Sequence, residues 1–199
     1  MLFELLVLFL AYIIGSVPSG FLISRARGID DIRARGSGNI GATNVARALG
    51  YKYFFVVFFA DCFKAYAFLR IIAWCNVTES IIFASAFALL IGNGASIFLK
   101  FRGGKGIATI AGILCAVIPL VLPYVLCIWL LTIIITKTVG IASVTALVSL
   151  PLVVMFLTDS TCSLVILMIS MAVLGIYWHR ENIVAFVKLN LISKGNANK

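Results

Sequence analysis

The chain alternates between long apolar runs and short polar segments. The apolar runs cover residues 2–23, 53–74, 81–99, 107–135, 139–157 and 164–178. An α-helix needs about 20 apolar residues to cross a bilayer, and most of these runs are close to that length. The pattern therefore predicts an all-α, polytopic membrane protein.

The composition supports the same class of protein. Hydrophobic residues make up 63% of the 199 residues and charged residues 12%, and the mean hydropathy is +1.16. A soluble domain is about half apolar and a quarter charged. A water-soluble core of this size could not bury so much apolar surface, so the surplus must face lipid. Because the length leaves no room for a separate soluble domain, we expect a single integral-membrane domain over residues 1–199.

The basic residues predict the orientation in the membrane. Sixteen Lys and Arg against seven Asp and Glu give a net charge of +9. In membrane proteins the common cause is the retention of Lys and Arg in cytoplasmic loops, so no nucleic-acid partner is implied. We therefore expect the loops after the first and third runs in the cytoplasm, together with the C-terminal tail, and the N-terminus outside. The basic residues of the tail are Arg180, Lys188, Lys194 and Lys199.

The number of spans follows from this orientation. An even number must separate the loop that ends at Gly106 from the tail that begins at His179, because both lie on one side. Only three apolar runs lie between them, and the run 107–135 is too long for one untilted span. Since proline removes a backbone donor and breaks helices, we expect this run to divide at Pro123, which gives about seven short spans. Five spans, with two stretches fused or re-entrant, is the alternative.

The first polar segment contains a glycine-rich motif at residues 36–47. Its opening matches G-x-G-x-x-G, but a dinucleotide site requires a preceding strand, whereas this motif lies between two membrane spans. Closely spaced glycines still let backbone N–H groups approach an anion. We expect Thr43 or Asn44 to cap a short helix whose N-terminus favours negative charge, with Arg47 about one turn along to bind phosphate. A flexible, solvated loop is the alternative.

A second glycine-rich loop, residues 102–106, precedes the fourth apolar run. It is not a Walker A motif, because Leu99 stands where glycine is required and Gly106 where Ser or Thr is required. Its backbone donors, the following helix N-terminus and the charge of Lys105 nevertheless suit a phosphate group. A basic anchor with a tight turn is the alternative.

The third polar cluster, residues 179–182, directly follows the last apolar run. His179 is the only histidine of the chain, and histidine is the side chain whose charge ordinarily changes near neutral pH. We expect it to act as a general base or hydrogen-bond donor; an interfacial residue beside Tyr177 and Trp178 is the alternative. One histidine and seven scattered carboxylates do not give the ligand spacing of a metal site, so neither a metal nor a cofactor is predicted.

Two ionisable residues lie inside the second apolar run. Asp61 and Lys64 are three residues apart and therefore share one helical face. Charges at membrane depth are costly, and they pair with each other or line a polar site. A structural ion pair and a functional pair are both open, and we do not place these two among the candidate catalytic residues.

Four segments give the chain a resemblance to the bacterial acyl-phosphate:glycerol-3-phosphate acyltransferases of the inner membrane. They are residues 12–20, 36–47, 101–109 and 179–183. The resemblance implies a seven-helix membrane fold and transfer of a fatty acyl group from acyl phosphate to the 1-hydroxyl of glycerol 3-phosphate. The products would be lysophosphatidic acid and inorganic phosphate, in the first acylation of phospholipid synthesis. It also implies that the substrates and the lipid bilayer are the partners, and that no coenzyme A or acyl carrier protein serves directly as donor.

The resemblance further implies roles for individual residues. Those that match residues needed for activity are Ser37, Arg47, Lys105, His179 and Asn182. Those expected to bind substrate or phosphate are Gly38, Asn39, Gly41, Thr43, Asn44, Gly103, Gly104 and Gly106. Glu181 matches a residue of structural importance.

One short segment departs from the family pattern. Family members usually have Gly-His-x-aromatic shortly before the second loop, where this chain has Gly-Asn-Gly-Ala at residues 92–95. Asn93 can replace a hydrogen bond but not a proton acceptor, so the local helix end and the positioning of the donor are in question. We expect activity to survive because His179 is retained.

Two other classes of function fit parts of the sequence. A small anion or phosphate transporter would use the same loops, with Asp61 and Lys64 lining its path, and would need no acyl donor. A non-catalytic lipid-binding or scaffold protein would tolerate Arg47→Ala. The sequence pattern leaves the acyl chain length and the oligomeric state open.

Overall fold

The computed structural model of the chain describes residues 1–197, and this part is helical without any strand. Lys199 of the predicted basic tail lies outside the described residues. The chain divides into two compact units, Met1–Pro119 and a second that begins at Leu120.

The first unit contains the two glycine-rich loops and the helices that hold them. Its α-helices, within residues 1–119, are α1 (Leu2–Ser16), α2 (Ser19–Ala26), α3 (Ala42–Leu49), α4 (Lys52–Trp74), α5 (Glu79–Gly94) and α6 (Ile107–Val117). Short 3-10 helices lie at Ile32–Ala34 and Ile97–Leu99. The main helix pairs are α1 against α5 and α4 against α6, and α3 packs on α4.

Small residues bring α1 and α5 into backbone contact. A Cβ atom on Gly15 would overlap the backbone of Leu89, and one on Gly92 would overlap the carbonyl of Tyr12. The Tyr12 hydroxyl donates to the carbonyl of Ala95 at 2.8 Å, just beyond the end of α5. Such close approach of small residues is the usual way in which membrane helices associate. It places the end of α1 beside the end of α5.

The first apolar run forms two helices. α1 ends at Ser16 and α2 begins at Ser19, so the break falls at Val17 and Pro18. Pro18 has no N–H group with which to continue the α1 hydrogen-bond ladder. The sequence pattern treated this run as one continuous span, and the structure adds the break.

The second unit contains four helices within residues 120–197. They are α7 (Val121–Thr136), α8 (Val139–Leu157), α9 (Cys162–Trp178) and α10 (Arg180–Ala197). α8 packs against both α7 and α9, and its residues Ala142, Leu150 and Val154 are buried. A Cβ atom on Gly175 would overlap the side chain of Leu147, so α9 approaches α8 closely at that point.

The run 107–135 divides as predicted, but the predicted position of the break is wrong. The break covers residues 118–120 and contains Pro119, whereas Pro123 lies in the first turn of α7. The first N–H groups of a helix have no partner within that helix, so a proline costs little there. Pro123 is therefore accommodated, and Pro119 lies at the break.

Three segments within residues 1–197 are long and apolar enough to cross a membrane by themselves. They are Leu2–Ala26, Glu79–Leu99 and Val139–Leu157. α9 and the start of α10 qualify together as a fourth, bent by 57°. The shorter apolar helices α6 and α7 fall below the length of an independent span.

Candidate functional site

The first glycine-rich loop is built around the side chain of Asn44. This residue is 2% exposed. Its Nδ2 atom lies 2.8 Å from the Asn39 carbonyl oxygen, 2.9 Å from that of Arg35 and 3.3 Å from that of Ile32. Its Oδ1 atom accepts the N–H of Ser37 at 2.9 Å. One buried amide therefore closes the loop on itself.

The start of α3 differs from the prediction that Thr43 or Asn44 caps it. The N-cap residue is Gly41, and both predicted caps lie within the first turn of the helix. The Oδ1 atom of Asn39 accepts the N–H of Gly41 at 2.7 Å, which fixes the turn into the helix. The side-chain amides of Asn39 and Asn44 thus shape the loop.

The loop presents a different pair of predicted residues on its surface. Ser37 and Arg47 are exposed, and Thr43 is half-buried. Gly36 and Gly38 have φ values of +57° and +71°, which L-residues other than glycine rarely adopt. The loop therefore combines a rigid backbone with an accessible hydroxyl and an accessible guanidinium group.

The second loop is attached to the end of α5 by its glycines. The Gly103 N–H donates to the Gly94 carbonyl at 2.9 Å, and the Gly104 N–H donates to the Asn93 carbonyl at 2.8 Å. Carbonyls of the protein thus accept these two N–H groups, and the phosphate-binding role expected of Gly103 and Gly104 stays a prediction. The α5 end is well formed with asparagine at position 93, since its contribution to this bond is a backbone carbonyl.

The end of the second loop retains the predicted features for anion binding. Gly106 has φ +80° and is the N-cap residue of α6, and half-buried Lys105 immediately precedes it. The first N–H groups of an α-helix lack partners within the helix and carry partial positive charge. This loop therefore presents an ammonium group beside a helix N-terminus.

The first unit brings the two glycine-rich loops together. The Cγ1 atom of Ile40 lies 3.7 Å from the position of a Cβ on Gly104. Nη1 of Arg33 lies 3.5 Å from the carbonyl oxygen of Leu99. The predicted residues on these loops thus belong to one region of the first unit.

The charge of this region is strongly positive. The exposed basic residues are Arg25, Arg27, Arg35, Arg47, Lys52, Lys100 and Arg102. Arg33 is instead paired with Asp31 at 2.7 Å, and its hydrogen bonds lower the pKa of that carboxyl below its usual range. The guanidinium group of Arg33 also lies 5.5 Å from the ring centre of Phe21. Anionic substrates would therefore meet an excess of cations.

The second unit contains the other predicted residues. His179 is 3% exposed and ends α9, and its Nδ1 lies 2.8 Å from the Gly175 carbonyl oxygen. Because a carbonyl only accepts, Nδ1 is the donor, which in the neutral ring leaves the lone pair on Nε2. The side chain of Asn182 lies directly against Gly140 at the start of α8, and Glu181 is exposed. A backbone hydrogen bond of 2.9 Å, from the Asn182 N–H to the His179 carbonyl, joins these two residues.

Comparison with known proteins assigns this chain to a family. The family model described as glycerol-3-phosphate acyltransferase matches residues 5–189. The chain belongs to this family. A relative from Geotalea daltonii, a glycerol-3-phosphate acyltransferase, is 37% identical over 180 residues, covering 90% of this chain and 92% of the relative. The chain is thus similar in length and sequence to acyltransferases along almost its entire extent.

Solved structures agree with this assignment. PlsY (YgiH), an integral membrane glycerol 3-phosphate acyltransferase, matches in its glycerol 3-phosphate form with a TM-score of 0.87 and 35% identity. Its lysophosphatidic acid form matches with a TM-score of 0.85 and 34% identity, and each match covers 93% of this chain and 92% of the other. The family members are membrane-embedded enzymes, so this chain is an integral membrane acyltransferase. The transporter alternative is not favoured.

Proposed function

We propose that this protein transfers a fatty acyl group from acyl phosphate to the 1-hydroxyl of glycerol 3-phosphate. The products are lysophosphatidic acid and inorganic phosphate, in the first acylation of bacterial phospholipid synthesis. The observation that carries this proposal is the match to PlsY in two forms, one with glycerol 3-phosphate and one with lysophosphatidic acid. The two cationic loops of the first unit supply the positive charge that these anionic compounds require.

Phosphate binding is proposed for three features of the first unit. Arg47 can hold a phosphate group through two parallel hydrogen bonds, and Lys105 acts as a point charge. The N-terminus of α6, at Gly106, adds backbone donors. Together they offset the repulsion between two anionic substrates and orient the reacting groups, which can contribute several kcal/mol to catalysis.

The acyl transfer is proposed to be direct. The hydroxyl oxygen of glycerol 3-phosphate attacks the acyl carbonyl carbon, a new ester C–O bond forms, and the bond to the departing phosphate breaks. Nε2 of His179 or a substrate phosphate oxygen accepts the hydroxyl proton. Ser37 donates a hydrogen bond, and the cations stabilise the charge on the oxyanion and the leaving phosphate. Because acyl phosphate is an activated mixed anhydride, no acyl-enzyme is required.

The remaining predicted residues are proposed to support this chemistry. Asn182 holds the start of α10 against Gly140, consistent with a positioning role beside His179, and Glu181 remains a structural candidate. Half-buried Thr43 is proposed to act through its side chain. The other residues expected to bind substrate are proposed to act by shaping the backbone of the two loops, and they are Gly38, Asn39, Gly41, Asn44, Gly103 and Gly104.

The membrane arrangement is also a proposal. We place seven spans in the bacterial inner membrane, with the N-terminus outside and with the glycine-rich loops, His179 and the C-terminus in the cytoplasm. The support is the concentration of Lys and Arg in these segments. The family model extends over both units, which supports one catalytic domain. The acyl chain would enter from the bilayer and lie between helices.

Purified protein with a fatty acyl phosphate and glycerol 3-phosphate tests the function. We expect lysophosphatidic acid and inorganic phosphate in equal amounts, and none of the lipid when acyl-coenzyme A replaces acyl phosphate.

Arg47→Ala should lower kcat/KM by about 100-fold through loss of a bidentate phosphate contact. A scaffold protein would give no product, and a transporter would move phosphate into sealed vesicles without acyl donor. Trapping of acylated Ser37 in a single turnover would overturn direct attack.

A further inference from the structure

Lys64 lies inside the apolar helix α4 and directs its ammonium group at three oxygen atoms. Nζ is 2.7 Å from Oδ1 of Asp61, 3.0 Å from the carbonyl oxygen of Gly15 and 2.7 Å from that of Val17. The side chains of Lys64 and Asp61 are each 12% exposed. Two of the three N–H donors of the lysine ammonium bond the carbonyl oxygens, and the Asp61 carboxylate forms an ion pair with its charge.

The two carbonyls belong to the break between α1 and α2. In a continuous helix the Gly15 carbonyl would accept the N–H of Ser19, but that N–H instead donates to Val17 at 3.1 Å. The intervening carbonyl of Ser16 accepts the hydroxyl of Ser96 at 2.6 Å. Unpaired carbonyls are costly in an apolar medium, and neighbouring groups must satisfy them where a membrane helix is broken. Lys64 and Ser96 perform this function at the α1–α2 break.

The break determines where α2 meets the first glycine-rich loop. Gly20, in the first turn of α2, approaches the carbonyl of Ile40 so closely that a Cβ atom would overlap it. Ile40 lies inside that loop and also faces Gly104 of the second loop. Ser96 also holds the residue that precedes the second loop, since its carbonyl accepts the N–H of Phe101 at 2.8 Å. A chain of direct contacts therefore leads from Lys64 to both loops.

We propose that the Asp61–Lys64 pair is a positioning device for the two glycine-rich loops. It acts by hydrogen bonding to the broken end of α1, and Asp61 balances the charge that the lysine brings into the apolar helix. Lys64 does not bind substrate phosphate, because its donors are directed at protein oxygens. This inference rests on the proposed role of the loops in phosphate binding.

The positioning role of the Asp61–Lys64 pair can be tested with variants that separate its hydrogen bonding from its charge. Lys64→Met removes the donors and leaves Asp61 unpaired, and we expect the KM for glycerol 3-phosphate to rise by about tenfold or more with a smaller change in kcat. Hydrogen exchange of residues 36–49 in the substrate-free protein should become faster. The double variant Asp61→Asn with Lys64→Gln keeps a donor at position 64 without any charge. It should restore KM to within about threefold of the original protein and restore slow exchange.

Two further variants complete the experiment. Arg70→Met removes an exposed cation from the same helix and should leave both measurements unchanged. Ser96→Ala removes only the donor to Ser16, and it should raise KM by about two- to fivefold and accelerate exchange in the same segment even if Lys64→Met does not fold. A double variant that folds but remains as impaired in KM as Lys64→Met, or a Ser96→Ala variant unchanged in both measurements, would overturn the inference. If Arg47→Ala and Lys105→Met retain full activity, the proposed function of the loops fails instead.

Discussion

At the scale of single residues, Asn44 organises the candidate site from within. Its amide reaches backbone groups of four residues while its own side chain is removed from solvent, whereas Ser37 and Arg47 remain exposed. A buried amide that loses its partners leaves several polar groups unsatisfied. Asn44 is therefore a supporting residue, and the two exposed side chains are the candidates for direct contact with phosphate.

Asn44→Ala tests this division of roles. We expect kcat/KM for glycerol 3-phosphate to fall by about 100-fold, similar to the fall for Arg47→Ala. Hydrogen exchange of residues 36–41 without substrate should distinguish the variants, because only Asn44→Ala removes bonds that hold the loop. Equal exchange in both variants would show that the amide contributes through substrate contact.

Residue types and spacing predicted which segments carry polar chemistry but not which atoms are available. Asn44 and Gly103 have the right chemistry to bind an anion, and both were expected to do so. In the structure their hydrogen-bonding groups are occupied by carbonyl and N–H groups of the same unit. Such partners come from the three-dimensional course of the backbone, which local spacing does not contain.

At the scale of elements, the end of α5 and the second loop form one structure. The loop approaches the helix so closely that a Cβ atom on Gly103 would overlap the backbone of Asn93 and Gly94. Backbone atoms cannot move aside as a flexible side chain can. The loop carrying Lys105 is therefore held at its correct distance from α5 only while position 103 has no side chain.

Gly103→Ala should displace the loop. We expect the affinity for glycerol 3-phosphate, measured by calorimetry on the purified protein, to fall by about tenfold or more. Gly50→Ala is the matched control: Gly50 has φ +98° but no atom lies within 4 Å of its Cβ position. The control should cost about 1–3 kcal/mol of stability, because its backbone conformation suits only glycine, without affecting binding. Unchanged binding in Gly103→Ala would contradict the role given to this contact.

The Asp31–Arg33 pair lies just before the first glycine-rich loop, and we expect it to make the stability of the protein sensitive to acid. Because the pKa of Asp31 is lowered in the folded protein, its stabilising effect is complete above the carboxyl pKa of the unfolded chain. It is lost as the pH falls through the folded value. In thermal unfolding, Asp31→Asn should have a lower Tm than the original protein at pH 7, and the difference should shrink below about pH 4. A difference that does not depend on pH would contradict this linkage.

The helices were more predictable than their ends. Apolar runs of about 20 residues predict helices because a helix of that length can cross the lipid bilayer, and α4 and α8 follow the runs 53–74 and 139–157 closely. The breaks at Pro18 and Pro119 were harder to place. A proline interrupts a helix only where its missing N–H would have been used, so Pro123 in the first turn of α7 leaves the helix intact.

At the scale of the whole molecule, the candidate groups are divided between the two units. The first unit has the cationic loops with Arg47 and Lys105, and the second has His179 and Asn182. The proposed reaction needs both anion binding and a proton acceptor. The proposed reaction therefore requires the loops and the α9–α10 bend to face the same aqueous compartment.

Accessibility labelling measures that requirement directly. Single cysteines at the exposed positions 37, 102 and 181 are introduced after Cys62, Cys75, Cys115, Cys127 and Cys162 have been replaced by alanine. A membrane-impermeant maleimide should label all three in inverted vesicles and none in intact cells whose outer membrane has been permeabilised. A cysteine at position 159, between α8 and α9, should give the opposite result, because the proposed seven-span arrangement places that turn outside. If any of positions 37, 102 and 181 reacts only from the outside, the proposed joint action of these segments is contradicted.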